Sequence, residues 1–240
     1  MSEGHNSKNA NEAHDAQRGT AKGANSSERE DMEIASLKVT WKPSPDPALE
    51  RLPAGVRDCL GLVQLQMTRE PQSAVGAMEY LVSKYPDVIT FQNWLGCCYQ
   101  ALGQTAKARQ VNETLLKNHP QYLFARLTLV EMMVREGEAE AARRLMFDAG
   151  PTLTALYPER ESFHVTEVQA WFHAAGVVQA AFGFEAGVQS CIQVLDQIEP
   201  SSKAAKDLHM LLEPKNQEAL QRLRERREWW NRREAGEDGP

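Results

Sequence analysis

The side chains best equipped for chemistry in this 240-residue chain are four cysteines, six histidines and one basic stretch near the C-terminus. Cys97 and Cys98 are adjacent, which invites a redox role. Neighbours on a helix point to different faces, however, and a vicinal disulfide needs strained geometry. Cys59 and Cys191 complete no C-x-x-C spacing, and all four lie in apolar helical runs. They are expected to be reduced packing residues of a reducing compartment. His5, His14, His119, His164, His173 and His209 give no H-x-x-H or H-E-x-x-H pairing, so no metal site is expected. There is no glycine-rich phosphate loop, no G-x-S-x-G and no Ser/His/Asp set on a turn. No cofactor and no enzymatic activity are therefore expected. Residues 222–233 (RLRERREWWNRR) are basic with interleaved aromatics, a composition that can contact phosphates and stack bases. Glu218, Glu225, Glu228 and Glu234 interrupt that run, and the whole chain carries a net charge of −6. A solvated closing helix, with Trp229 and Trp230 packed on the fold, is favoured over a nucleic-acid surface.

The elements that must position these residues are helical. Residues 1–31 are rich in Asn, Ser, Gly, Ala, Lys and Glu, without aromatics or periodicity, and are expected to be disordered. No apolar run approaches the ~18 residues of a membrane span, and the N-terminus has no secretory apolar core, so the expectation is a soluble cytoplasmic protein. Ile34, Leu37, Val39 and Trp41 form a small apolar cluster, followed by the extended linker Lys42-Pro43-Ser44-Pro45-Asp46-Pro47. That cluster either folds back on the chain or serves a partner. Helical patterning begins near Pro47 and continues to the C-terminus, with no convincing alternating strands.

Residues 89–122 hold the clearest pattern: Leu95-Gly96, Tyr99, Gly103, Ala108, Leu115 and Pro120. Gly96 admits a close neighbour, Gly103 serves a turn and Pro120 stops the second helix. Residues 55–88 align without gaps through Gly61-Leu62, Leu65, Ala74, Leu81 and Pro86. Residues 123–156 align through Leu129, Met133, Gly137, Ala142 and Ala149. A fourth, shifted copy spans 169–200 with Ala175-Gly176, Gly183, Val188, Ile192, Leu195 and Pro200. It requires an insertion of about twelve residues after Phe147, expected as a loop or a lengthened helix.

The order L-G-x-x-Y, small residue, closing Pro, at a period of 34 residues, resembles the tetratricopeptide repeat (TPR) family. The resemblance implies an all-α, TPR-like α-solenoid of about four helix-turn-helix repeats in residues 47–200. Residues 1–46 are then a tail and Pro-rich linker, and residues 201–240 a C-terminal capping helix pair with a frayed end. The first helix of each pair lines a concave groove in this family. Groove positions implied for this chain are Val56, Cys59, Val63 and Gln66, then Thr90, Asn93, Cys97 and Gln100, then Phe124, Leu127, Glu131 and Val134. These are mostly apolar, which suits an apolar peptide or amphipathic helix of a protein partner. The chain would then act as an adaptor, scaffold or chaperone-like module. The same residues equally suit burial by the N-terminal segment or C-terminal helix, or self-association. The carboxylate clamp of one TPR subclass is missing: its Lys and Asn positions hold Cys59, Val63, Trp94, Phe124 and Thr128, with Asn93 and Arg126 out of register.

Overall fold

The computed structural model describes residues 31–42, 46–148, 150 and 152–234. All but Asp31 of the tail expected over residues 1–31, and the frayed end after 234, lie outside them. The chain opens with a hairpin of β1 (Met32–Ile34) and β2 (Leu37–Thr40), followed by α1 (Pro47–Glu50). Three helix pairs come next: α2 (Ala54–Arg69) with α3 (Pro71–Lys84), α4 (Ile89–Ala101) with α5 (Thr105–Asn118), and α6 (Leu123–Arg135) with α7 (Ala139–Phe147). The short α8 (Leu153–Leu156) and β3 (Phe163–His164) precede a fourth pair, α9 (Val165–Ala181) and α10 (Glu185–Ile198). Two helices close the chain, α11 (Lys203–Leu211) and α12 (Pro214–Glu234). The architecture is the expected all-α helical repeat, with one small sheet added.

The repeat residues do what their types suggest. Gly103, Gly137 and Gly183 sit in the three later turns with φ of 68°, 81° and 72°, a left-handed geometry that costs other residues about 1–2 kcal/mol. At Gly96 an added Cβ would lie 3.0 Å from Asn112 Nδ2, so α5 reaches α4 through that missing side chain. Gly176 plays the same part for α11, since a Cβ there would come within 2.5 Å of Leu208 Cδ1. Gly61, by contrast, faces open space.

The core has two parts. One gathers Met78, Leu81, Phe91, Leu95, Cys98 and Tyr99 from α3 and α4. The other is larger and joins Ile34, Leu37, Val39 and Trp41 of the N-terminal segment to α6, α7, α9, α10 and α11. Helix α6 is the wall between them, with Met132 in the first cluster and Leu127, Val130 and Val134 in the second.

Two features depart from the sequence expectation. The first is the sheet, where strands were not anticipated. β1 pairs antiparallel with β2, and β2 pairs parallel with β3 through Val39 opposite Phe163 and Thr40 opposite His164. The segment around Trp41 therefore folds back on the chain. The insertion after Phe147 supplies the strand that receives it. Arg160 holds that insertion in shape by donating twice to Glu167, at 2.8 and 2.7 Å, while lying over the Phe163 ring. The hairpin loop is Ala35-Ser36, with φ of 50° and 62°. Two consecutive positive φ values are the requirement of a type I′ turn, normally met by Asn-Gly. Neither residue announces it in the sequence.

The second departure concerns α12. α11 packs on α9 and α10 as a cap should, but α12 turns back along the turn edge of the repeats. Arg224 donates to the Ala181 carbonyl at 3.2 Å and Arg227 to Glu138 at 3.0 Å. Leu223 crosses Gly137 so closely that a Cβ there would lie 2.8 Å from its carbonyl oxygen. Glu138 also accepts from Arg109 at 3.2 Å, and Arg109 pairs further with Glu113 and Glu136. One ionic network thus links α5, the α6–α7 turn and α12. Trp229 is 42% exposed with Arg233 over its ring, rather than packed on the last repeat as anticipated.

Ala35→Asn combined with Ser36→Gly should relieve the hairpin loop and raise stability by about 1 kcal/mol, read as a higher melting temperature. Gly103→Ala should cost about 1 kcal/mol through its backbone alone. Gly137→Ala should cost more and also loosen α12, detected as faster proteolysis within 214–234.

Candidate functional site: the concave face

The expected groove positions fall on α2, α4 and α6, the first helices of their pairs. On α4, Thr90, Asn93, Cys97 and Gln100 are spaced by three, four and three residues, so they share one stripe of the helix. The opposite side of α4 buries Phe91, Leu95, Cys98 and Tyr99. Helical periodicity in the apolar residues is what turns the stripe outward.

The structure treats the three sets differently. On α2, Val56 and Val63 are half-buried and pack, with Leu60 and Met67, against the first core. Cys59 is exposed and Gln66 half-buried. On α6, Leu127 and Val134 are each only 3% exposed and belong to the second core. These two are corrected from groove to core, because α9 packs across that side of α6. Phe124 is half-buried beside Tyr122, ring centroids 6.1 Å apart. Glu131 is spoken for as well, bonded to His173 Nδ1 on α9 at 2.8 Å.

The chain's own N-terminal segment also reaches the α4 stripe. Asp46 caps α1 by accepting from the Ala48 N–H at 2.9 Å, and its second oxygen accepts from Thr90 Oγ1 at 2.6 Å. One carboxylate thereby fixes both the start of α1 and its seat on α4. Burial raises the Tyr122 hydroxyl pKa, with smaller contributions from Cys97 and Asp46, which places these three groups in one neighbourhood. The spacing of groove positions gave no sign that Asp46 would join them. Its position before Pro47 marked it only as a linker residue.

What stays open is polar. Among the described residues, Asn93 and Gln100 make no side-chain hydrogen bond, and neither does Gln66. Cys97 lies between the first two and is exposed. The surrounding concave wall desolvates its thiol and raises its pKa. Desolvation raises Cys98 further, to about 11, helped by Cys97. Cys191 also stands at about 11 through burial. At neutral pH these are thiols, poor as nucleophiles. No group of His, Cys, Asp or Glu able to hold a metal occurs among the described residues. None of their helices is long and apolar enough to cross a membrane.

Comparison with known families now bears on the stripe. A tetratricopeptide repeat model matches residues 94–122. The match covers most of α4 and all of α5, including Cys97 and Gln100 of the stripe and the glycine turn between the helices. The resemblance read from Leu95-Gly96, Tyr99 and Gly103 is upheld, and a repeat of this kind suggests a protein–protein interaction module. No curated protein and no solved structure matches the chain.

The raised thiols make the fold sensitive to alkali. A Cys98 pKa of 9.0 when unfolded and about 11 when folded means that the native state holds the proton longer. Its contribution to stability is complete below pH 9 and is lost as pH rises through 11. Denaturant midpoints should fall across that window, and less steeply in Cys98→Ala referenced to its own value at pH 7. Iodoacetamide at pH 8 should modify Cys59 first and leave Cys98 and Cys191 protected in the native protein.

Proposed function

We propose that the chain is a protein-binding adaptor that holds an extended segment of another protein along the α4 stripe. The observation that carries this is the pair of amides, Asn93 and Gln100, without a side-chain hydrogen bond among the described residues and flanking exposed Cys97 on the outward stripe of α4. An amide side chain offers both a donor and an acceptor, the combination that a peptide backbone requires. Cys97 between them leaves room for a small apolar side chain of the ligand. Gln66 and Cys59 on α2 and Phe124 on α6 border the same path.

The binding mode is narrower than a wholly apolar groove. Leu127 and Val134 are buried, Val56 and Val63 face the first core, and Thr90 is held by Asp46. A ligand gains less from hydrophobic burial here and more from backbone hydrogen bonding. Affinity in the micromolar range is the corresponding expectation for a short segment.

The test is affinity capture with the full chain, quantified by mass spectrometry against Asn93→Ala/Gln100→Ala and Cys97→Arg. Partners should fall by about tenfold or more in both, with melting temperatures close to wild type because none of the three residues is in the core. Recovery of the same partners at the same level in both variants would overturn the proposal.

A further inference from the structure

Helix α2 has two apolar faces, and only one is used. Val56, Leu60, Val63 and Met67 form the inward stripe and pack on the first core. On the opposite side stand Asp58, Leu62, Leu65 and Arg69, spaced by four, three and four residues. Successive residues turn by about 100°, so the two stripes lie roughly half a turn apart. No residue of α2 is buried. Leu62 is 69% exposed and Leu65 46% exposed, the pair of large apolar side chains on that face. Gly61 beside them has nothing within 4 Å of where a Cβ would sit. The far end of the array is covered by α11, whereas among the described residues nothing buries the outer side of α2. A terminal repeat without a neighbour needs a polar outer face, and on α2 the middle of that face is Leu62 and Leu65.

The arrangement of that face identifies what fits it. Asp58 and Arg69 are equally far from the midpoint between Leu62 and Leu65, and they have opposite charge. Neither has an ion-pair or hydrogen-bond partner for its side chain among the described residues. Arg57 and Glu70 repeat the relation one residue further out. A twofold axis through the midpoint would run a second α2 antiparallel to the first. It would set Leu62 against the other copy's Leu65, and Asp58 against the other copy's Arg69. The parallel alternative would set Asp58 against Asp58 and Arg69 against Arg69, which like-charge repulsion disfavours. A face whose charges are complementary to its own reversed copy is the signature of an isologous contact. We propose that this chain forms a homodimer through antiparallel pairing of α2 helices. The concave stripe on α4 would then be presented twice, once by each copy. The inference does not depend on the ligand proposed for that stripe.

Sedimentation equilibrium of the full chain across the micromolar range tests it. Wild type should show a monomer–dimer equilibrium. Leu62→Glu/Leu65→Glu should weaken association at least tenfold while circular dichroism and melting temperature hold, since both side chains are exposed. Asp58→Arg and Arg69→Asp should each weaken the dimer, and the combined charge exchange should restore it. A chain that remains monomeric throughout overturns the proposal and gives the face to a different protein. A dimer indifferent to the α2 substitutions overturns it as well, because the contact must then lie elsewhere. A dimer weakened by both single charge changes but not restored by the exchange overturns the antiparallel register.

Discussion

The parallel contact between β2 and β3 is the constraint that ties the N-terminal segment into the larger core. It joins Val39 to Phe163 and Thr40 to His164, across more than half the chain. Two strand residues would be a weak clamp alone. Their strength comes from Ile34, Leu37, Val39 and Trp41, which enter the larger core beside α6 and α9. Leu127 and Val134 share that core, where α9 packs on α6. With the segment anchored there, Asp46 arrives beside Thr90 and α1 is capped. The stretch from Met32 to Trp41 thereby becomes part of the interior against which α9 and α10 pack.

This arrangement explains why the third and fourth repeats are not copies of the second. An uninterrupted repeat would continue the superhelix after Phe147. Here α8 and β3 intervene, and Arg160 bound to Glu167 stiffens the detour. Burial pushes the Glu167 carboxyl upward, but the Arg160 hydrogen bonds and the His164 N–H outweigh it, and its pKa is lowered. The same Glu167 side chain accepts from the His164 N–H and closes a capping box at the start of α9. One carboxylate thus fixes the insertion, its strand and the helix that follows.

Much of the helical array was legible in the sequence, and the reasons are physical. A glycine with positive φ at each of the three later turns and a small residue where helices approach closely are demands of helix packing, so Gly103, Gly137, Gly183, Gly96 and Gly176 carry their structural meaning in their identity. The sheet was not legible. Ala35-Ser36 adopts an I′ loop without the residues that favour one, and β1 and β2 are too short for alternation to stand out. The return of α12 was hidden for another reason. It rests on Arg227, Arg109 and Glu138 meeting from three separate parts of the chain, and no local pattern encodes such a meeting. For the candidate site, helical register places the α4 stripe on the side away from Phe91 and Leu95. Register says nothing of occupancy, so it could not separate buried Leu127 and Val134 from open Asn93 and Gln100.

Helix α6 is single-layered, yet it serves two interiors, with Met132 turned one way and Leu127, Val130 and Val134 the other. Opening of the pairs before it strips only one of its faces. The free energy of local opening therefore need not be uniform along the array, and hydrogen exchange should report a gradient. Amides of α9 and α10 would exchange slowest and those of α2 fastest. The α4 stripe lies on the less protected side of that divide. A ligand held there would slow exchange well beyond the residues it touches, because it would tie the yielding half of the molecule to the firm one.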